Sequence, residues 1–513
     1  MATTPRGGKR EASSLRSRAD MCRVRALVLL AGLLLLARPV GADEASLSQS
    51  LDAFLRTPAL RGARVGVVVE DLATGERLAA HLPDADLVPA SNQKLLISAA
   101  ALERWGPAHR FETPVLVEGE LADGVLDGTL WIVGQGDPSL VSETLWKLAE
   151  EVRLAGIREI KGGIGVDASR FDALRFHPDW EPVSSRAYYA PVAALSANYS
   201  SFRVDVVPGE KVGAPVQLRL APSLPYFRGA ADAVTLSGGG QLVLDVDVLP
   251  DGSGESVRVS GAVSAGKPTS TYWRAVALPE RYAAAVLRAQ LEGQGVRVAP
   301  RVRVGPAPAE AHELLRFPGE PLALQVRLLE KFSNNFVAEQ LTKMLGAEVY
   351  GPPGTWEKGT QALAAWLQSA GIRDPELVIA DGSGLSPRNR IAPATLVAVI
   401  RHAAARFDLA PEYLSALPIG GREGTLEDRM GGGTIQIRAK TGHLRRVAAL
   451  SGIVPAPNGT TRVFSILVNG ARGDAEGVDT AIDAFASRLG SAPVGPAAEP
   501  AAAQAPEAPP PSE

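Results

Sequence analysis

Short apolar runs separated by turns predict strands in the first part of the chain. The β-branched run 64–70 and the segment 77–81 flank a turn, so both are predicted strands. The apolar run 95–102 predicts a helix that continues to about Trp105. Residues 112–315 show many short strands between turns, with helices at about 143–155 and 279–292. This middle part is predicted to be β-rich.

Helical periodicity dominates from about residue 320. We predict one long helical region at 321–345, which contains Ser333-Asn334-Asn335, and helices at 355–370 and 393–407. Strands at 434–439, 447–454 and 462–469 follow, and a helix at 478–489 ends the pattern. We expect the two early and three late strands to share one antiparallel sheet, with helices from both ends over one face. The predicted fold class is therefore α+β, with a large β-rich insertion.

Both ends of the chain differ in composition from the rest. Residues 26–37 form an apolar core between basic residues and a small-residue exit, which predicts a secretory signal peptide over residues 1–42. The long basic stretch before Met21 leads to the hypothesis that translation begins there. Residues 491–513 are rich in Ala, Pro and Glu and are predicted to be a disordered tail. Between them we expect a domain of 43–111 plus 316–490, interrupted by inserted β-rich modules at 112–315.

Composition restricts the compartment and the partners. The chain has 513 residues, is 46% hydrophobic and 21% charged, and so has the profile of a soluble globular protein. Its one cysteine, Cys22, lies in the predicted leader, so the exported chain would contain no disulfide. Loss of the basic leader makes the net charge more negative than −3, which argues against a nucleic-acid partner. We expect a periplasmic or other extracytoplasmic protein, with no transmembrane anchor once the leader is removed.

A serine and a lysine three positions apart stand at the start of the first predicted helix. In Ser91-Asn92-Gln93-Lys94 the hydroxyl and the amine can share one helix face. The helix dipole favours an alkoxide at this end, and a partly buried amine can take the serine proton. Taken alone the pattern is loose, and a capping serine with a solvated lysine is the more frequent explanation.

Two further polar clusters could complete a site. Ser333-Asn334-Asn335 supplies a hydroxyl and an amide that can reach a substrate amide bond. Lys440-Thr441-Gly442 combines charge, a hydroxyl and close backbone approach at a predicted strand, which suits a carboxylate. Each tripeptide by itself is ordinary, and the argument depends on all three occurring together.

In the order S-x-x-K, S-x-N and K-T-G, the clusters resemble the motifs of the penicillin-recognising serine peptidases. Class A β-lactamases place their first two motifs much closer together than Ser91 and Ser333 are here. The long separation resembles the D-alanyl-D-alanine carboxypeptidase/endopeptidase family, peptidase family S13, of penicillin-binding-protein-4 type. Further segments are similar to that family: 134–138, 188–198, 381–386, 424–426 and 450–452.

The resemblance implies a penicillin-binding-protein/β-lactamase-like transpeptidase domain, an antiparallel sheet flanked by helices with the insertion between the first two motifs. It implies that Ser91 attacks a terminal D-alanyl bond and forms an acyl-enzyme, with Lys94 as general base. Ser333 would relay a proton to the leaving amine, and Asn335 would hold the substrate amide.

The resemblance implies that the third motif binds the carboxylate end of the substrate. Lys440 and Thr441 would hold the terminal carboxylate, and the backbone N–H groups of Ser91 and of His443, the residue after Gly442, would bind the oxyanion. Peptidoglycan stem peptides are then the substrates and β-lactams the covalent inhibitors. We expect neither a cofactor nor a metal.

Two positions depart from the family pattern. His443 stands where the family commonly has threonine or serine. Arg388 matches a position that contacts a diaminopimelate-type side chain, but its acidic partner in some relatives would fall near Ser184, where this sequence has no carboxylate. The missing carboxylate near Ser184 weakens a predicted preference for diaminopimelate. A surface or loop salt bridge is the alternative role for Arg388.

Two other functions are alternatives to the peptidase. A serine β-lactamase would share the acylation chemistry, and a non-catalytic peptidoglycan-binding scaffold could use the inserted modules alone. A Ser-His-Asp hydrolase is disfavoured because the sequence has no G-x-S-x-G motif. Hydrolysis of penicillin without action on D-Ala-D-Ala would identify a β-lactamase, and binding without either activity would identify a scaffold.

Overall fold

The computed structural model describes residues 40–180, 183–430, 436–456 and 458–490. Nearly all of the predicted signal peptide and the whole predicted tail lie outside these residues. The described helices are α1 (Val40–Leu55), α2 (Lys94–Trp105), α3 (Ser142–Leu154), α4 (Pro279–Gly293), α5 (Leu322–Lys331), α6 (Asn335–Tyr350), α7 (Trp356–Ser369), α8 (Pro393–Ala405), α9 (Ala410–Ala416) and α10 (Ala475–Leu489).

The strands cluster before α2, between α2 and α5, and after α9. They are β1 (Arg64–Asp71), β2 (Arg77–His81), β3 (Glu112–Ala122), β4 (Val125–Val133), β5 (Glu159–Ile160), β6 (Ile164–Asp167), β7 (Ser201–Val207), β8 (Gln217–Ala221), β9 (Phe227–Ala231), β10 (Val234–Leu236), β11 (Leu242–Val248), β12 (Glu255–Ser264), β13 (Ser270–Ala275), β14 (Arg297–Val298), β15 (Val302–Val304), β16 (His312–Pro318), β17 (Arg438–Leu444), β18 (Val447–Pro455) and β19 (Thr461–Asn469).

A five-stranded antiparallel sheet joins the two ends of the chain. Its order is β17-β18-β19-β1-β2, so the two early strands pair with the three late ones as predicted. Strand β1 lies inside this sheet and is buried at every position after Arg64. Burial on both faces explains why its sequence is a continuous apolar run rather than an alternation.

The middle of the chain forms three further sheets. Strands β3 and β16 pair antiparallel, with Glu112 opposite Pro318, so the chain enters and leaves this region through neighbouring strands. Both belong to a seven-stranded sheet, beside a four-stranded and a three-stranded sheet. Buried apolar residues form one large cluster around α2, α5, α6 and α8 and a second one within the middle region. This grouping agrees with an insertion, whose boundaries at 112 and 315 remain a prediction.

Two predicted elements differ from the structure near the motifs. The long helix predicted at 321–345 is two helices, α5 and α6, because Ser333 adopts a left-handed φ of 54° and the Asn334 side chain caps α6 by accepting from the Val337 nitrogen. The strand predicted at 434–439 corresponds to β17, which begins at Arg438 and pairs with β18 through Lys440, Thr441 and Gly442 themselves, while positions 434 and 435 lie outside the described residues. Within the described part of the chain, no helix has the length and apolar character needed to cross a membrane.

Candidate active site

Ser91 lies in a tight turn that touches strand β17. A 3-10 turn over Ala90–Gln93 leads directly into α2, and Asn92 Nδ2 donates to the backbone oxygen of Lys440 at 3.1 Å. A Cβ atom on Gly442 would lie 3.0 Å from the backbone nitrogen of Ser91, closer than such contacts normally come. The glycine of the third motif therefore lets the strand approach the serine turn.

Lys94 Nζ has three polar partners. It lies 2.9 Å from Ser91 Oγ, 2.7 Å from Asn335 Oδ1 and 2.6 Å from the backbone oxygen of Ser383. A neutral amine carries two N–H bonds and one lone pair. The amide and backbone oxygens can only accept, so they take the two N–H bonds and leave the lone pair for the hydroxyl proton of Ser91. An arrangement of this kind is the one that a serine nucleophile and its base require.

The electrostatic surroundings of Lys94 favour the neutral amine. Its side chain is fully buried, and burial, followed by the positive charge of Lys440, lowers its pKa to about 7. The carboxylates of Glu339 and Glu330 oppose this shift. A substantial fraction of Lys94 is therefore neutral near pH 7 and able to accept a proton.

The third motif presents a buried cation and a hydroxyl on β17. Burial lowers the pKa of Lys440 to about 8, against the opposing charge of Glu330, so its ammonium form prevails at neutral pH. Lys440 Nζ donates to the backbone oxygen of Thr441 at 2.9 Å. The hydroxyl of Thr441 donates to that of Thr425 at 2.7 Å, which ties the motif to the short turn Gly424–Leu426.

The second motif lines a cavity of about 490 Å³. Asn335 joins this cavity to Lys94, because its Oδ1 accepts from Lys94 while its Nδ2 donates to the backbone oxygen of Tyr188 at 3.0 Å. Ser333 lines the same cavity at the left-handed turn between α5 and α6. All three motifs thus lie around the Ser91 turn or the cavity next to it.

The sequence did not reveal Glu339, the residue that holds the Ser383 loop next to Lys94. Buried Glu339 of α6 accepts from the backbone nitrogen of Ser383 at 2.7 Å and from that of Gly382 at 3.1 Å, and so fixes the loop whose oxygen faces Lys94. Burial and the nearby Asp381 raise the pKa of Glu339 to about 7. The two glycines of this loop could have indicated from the sequence that the loop closely approaches another part of the backbone. Gly384 has φ 82°, and a Cβ there would lie 1.8 Å from the Ala90 oxygen.

A second buried carboxylate lies behind the two lysines. Glu330, near the end of α5, accepts from Ser98 Oγ at 2.5 Å, and Ser98 is one turn after Lys94 on α2. Burial raises the pKa of Glu330, while the charges of Lys440 and Lys94 act in the opposite direction. The site therefore holds two buried lysines, with the buried Glu330 carboxyl close enough to raise the pKa of both.

Arg388 forms a salt bridge, in agreement with the alternative role, and its acidic partner lies outside the segment around Ser184. Arg388 Nε lies 2.6 Å from Asp179 Oδ2, five positions before Ser184. The neighbouring Trp180 donates its indole N–H to Asp381 at 2.9 Å, which holds this segment against the Arg388 loop. Burial acts to raise the pKa of Asp179, but hydrogen bonds from Ser386 and Arg388 hold it below its usual value.

His443 follows the third motif on β17 and is half exposed. Its Nε2 lies 2.8 Å from Asp479 Oδ1 on helix α10. The side chain after the third motif is therefore engaged with the last described helix. The oxyanion role predicted for this residue belongs to its backbone N–H and stays a prediction.

Comparison with known proteins identifies a family and several relatives of this chain. Residues 47–489 match the D-Ala-D-Ala carboxypeptidase 3 (S13) family. A D-alanyl-D-alanine carboxypeptidase of Actinomadura sp. (strain R39) is 36% identical over 92% of this chain and 89% of its own length. The D-alanyl-D-alanine carboxypeptidase DacB of Haemophilus influenzae is 27% identical over 81% of this chain and 87% of its own.

A solved structure supports the fold. The crystal structure of penicillin binding protein 4 (dacB) from Haemophilus influenzae superposes with a TM-score of 0.73 at 26% identity, covering 85% of this chain and 97% of that one. The predicted penicillin-binding-protein/β-lactamase-like α+β fold is thereby confirmed, as is the serine-type D-Ala-D-Ala carboxypeptidase predicted from the motifs. The chain belongs to the D-Ala-D-Ala carboxypeptidase 3 (S13) family of peptidases.

Proposed function

We propose that this protein removes the terminal D-alanine from peptidoglycan stem peptides and also cleaves D-alanyl cross-links, through an acyl-enzyme on Ser91 formed outside the cytoplasm. Membership of the S13 family and the names of the relatives support the carboxypeptidase activity. The single observation that carries the mechanism is the placement of Lys94 Nζ, 2.9 Å from Ser91 Oγ with its other two partners acceptors only.

Acylation begins with the hydroxyl of Ser91. Its oxygen bonds to the carbonyl carbon of the penultimate D-alanine while its proton passes to neutral Lys94. The C–N bond to the last residue then breaks. The leaving nitrogen takes a proton delivered through Ser333 from protonated Lys94, and the last residue departs as a free amine. Asn335 holds the substrate amide, and general acid–base catalysis of this kind contributes about 10²–10⁴ in rate.

The substrate is positioned by its charged end. Lys440, an ammonium at neutral pH, and the hydroxyl of Thr441 hold the terminal carboxylate. The backbone N–H groups of Ser91 and His443 bind the oxygen that becomes negative in the tetrahedral state, and each such donor is worth about 10²–10³ in rate. Gly442 makes this arrangement possible because a larger residue there would keep β17 away from the serine turn.

Deacylation uses the same groups in reverse. A water molecule loses its proton to Lys94 and bonds to the ester carbon. The bond from that carbon to Ser91 Oγ breaks, and Ser91 recovers a proton. A β-lactam acylates the same oxygen through its strained carbonyl, and we expect that ester to persist.

The test is release of D-alanine from defined muropeptides. Mass spectrometry of digests with the mature protein should show loss of one D-alanine from a monomeric pentapeptide and conversion of D-alanyl cross-linked dimers to monomers, both abolished in Ser91→Ala. Rapid turnover of penicillin with muropeptides left intact would favour the β-lactamase. Retention of muropeptides without any product would favour the scaffold.

A further inference from the structure

Two large aromatic side chains are exposed at the cavity beside the second motif. Trp273 of β13 is 54% exposed and Phe332, immediately before Ser333, is 66% exposed. Both line the cavity of about 490 Å³ together with Tyr188, Ser333 and Asn335. Clustered exposed aromatic residues are uncommon on a soluble protein and mark binding surfaces.

Hydrogen bonds connect Trp273, which belongs to the middle region of the chain, to the candidate active site. Strand β13 pairs with β7, and the nitrogen of its last residue, Ala275, donates to the Ser185 oxygen at 2.8 Å. Three residues later the Tyr188 oxygen accepts from Asn335 Nδ2 at 3.0 Å. The position of Trp273 is therefore tied to the position of Asn335.

The floor beneath the cavity is packed. Ala190, Ala275 and Phe336 form a buried apolar cluster, with Tyr199 against Phe336 at 6.3 Å between ring centroids. These residues come from the segment after Tyr188, from β13 and from α6. The cavity thus stands on elements that pack against one another, so little ordering is needed when a ligand binds.

The proposed reaction determines which part of a bound substrate lies in this cavity. Under the proposed function, Ser333 delivers the proton to the leaving nitrogen, so the departing group lies on the side that Ser333 lines. A terminal D-alanine is a single small residue with a carboxylate, and it would fill little of this largely apolar space. A departing group that continues as a second peptide would fill much more of it.

We propose that Trp273 and Phe332, beside Tyr188, bind the departing strand of a D-alanyl cross-linked stem peptide. This inference rests on the proposed function and specifies its substrate: the cavity selects cross-linked dimers over monomeric pentapeptides. The aliphatic side chain and peptide planes of the departing strand pack on the two aromatic faces. The middle region of the chain, through Trp273, then takes part in substrate recognition.

The experiment compares two substrates across matched variants. Trp273→Ala, Phe332→Ala and the double variant are assayed for kcat/KM on a purified cross-linked muropeptide dimer and on a monomeric pentapeptide. The rate of acylation by a fluorescent penicillin is measured alongside. Trp146→Ala and Phe407→Ala serve as controls, because these side chains are 52% and 96% exposed on other parts of the surface.

We expect the double variant to lose 10-fold or more in kcat/KM on the dimer, the scale on which buried aromatic anchors act. Its kcat/KM on the monomer and its acylation rate should stay within about twofold of the unchanged protein. The two control variants should behave as the unchanged protein on both substrates. A loss confined to the dimer would support the inference.

Equal losses on both substrates, or none on either, would overturn it. A loss seen only with muropeptides that carry their disaccharide would also overturn it, because the aromatic residues would then bind glycan. Wild-type protein that releases D-alanine but leaves dimers intact refutes this inference and leaves the carboxypeptidase in place. Wild-type protein that neither labels with penicillin nor releases D-alanine refutes the proposed function itself.

Discussion

The Nζ of Lys94 and the backbone oxygen of Ser383 lie 2.6 Å apart in the buried part of the candidate site. This contact and the one to Asn335 Oδ1 occupy both N–H bonds of a neutral amine, so the lone pair has one remaining partner, the hydroxyl of Ser91. The loop that carries Ser383 is in turn fixed by Glu339. The orientation of the base is therefore set by acceptors on two other segments.

The first prediction concerns pH. Lys94 must be neutral to take a proton, and its pKa is about 7, so acylation should rise as pH increases through about 7. Lys440 must be charged to bind a carboxylate, and its pKa is about 8, so acylation should fall above about 8. The acylation rate constant for a fluorescent penicillin should thus give a narrow bell-shaped profile. A flat profile from about pH 6 to about pH 9 would contradict both assignments.

The second prediction changes the charge behind the lysines. Glu330→Gln removes a buried negative charge that raises the pKa of both Lys94 and Lys440, so both limbs of the acylation profile should move to lower pH. Ser98→Ala is the comparison variant, since it keeps the Glu330 carboxyl and removes only one hydrogen bond that favours its ionised form, so the profile should move less than in Glu330→Gln. Glu330 then acts as a positioning residue through the lysines. An unshifted profile in Glu330→Gln would show that Glu330 has only a structural role.

The third prediction tests the approach of β17 to the serine turn. Gly442→Ala places a Cβ 2.9 Å from the Pro89 oxygen and 3.0 Å from the Ser91 nitrogen, so strand and turn must separate by a few tenths of an ångström. Since catalytic groups must be held in place within about 0.5 Å, we expect acylation to slow by about 10-fold or more.

Gly266→Ala is the matched control for this change, because no atom lies within 4 Å of the added Cβ. Acylation rates and thermal melts of both variants separate a local effect from loss of folding. Gly442→Ala that acylates at the normal rate would mean that β17 does not support the oxyanion site as proposed.

The fourth prediction concerns the pair of Arg388 and Asp179. The pKa of Asp179 is held below its usual value of 3.8, so its ionised form stabilises the fold above that pH, and this stability is lost as pH falls through the depressed pKa. Arg388 is largely exposed, which limits the effect, and we expect Asp179→Asn to lower the free energy of unfolding by about 1 kcal/mol at pH 7.

Chemical denaturation at several pH values measures that difference. The gap between Asp179→Asn and the unchanged protein should shrink as pH falls below about 3.8. Asp84→Asn is a suitable control, because the Asp84 carboxylate forms no hydrogen bond or salt bridge with another described residue. A gap that is constant with pH would show that Asp179 stabilises the fold by packing alone.

The sequence predicted the elements that depend on local periodicity and on residue chemistry. The central sheet followed from apolar runs such as β1, and the meeting of Ser91 with Lys94 followed from their spacing on one helix face. Arrangements that depend on tertiary packing were missed. A left-handed serine at position 333 leaves no mark in hydrophobic periodicity, so α5 and α6 were merged.

Two site contacts were missed for the same reason. Ser383 contributes only a backbone oxygen, which every residue possesses, so its residue type does not mark it as a partner of Lys94. The oxygen faces Lys94 because buried Glu339 accepts from the backbone nitrogen of Ser383. The partner of Arg388 could not be found by counting from family positions. Asp179 lies next to Arg388 because the neighbouring Trp180 donates a hydrogen bond to Asp381, seven positions before Arg388. Backbone acceptors and long-range ion pairs need the fold before they can be assigned.

The most direct test of the acyl-enzyme mechanism is the location of the penicillin adduct. Intact-mass and peptide mass spectrometry of the protein after brief exposure to penicillin should show one added penicillin, on the peptide that contains Ser91, and none in Ser91→Ala. An adduct that persists in Ser91→Ala, or that maps to a different peptide of the unchanged protein, would contradict the account.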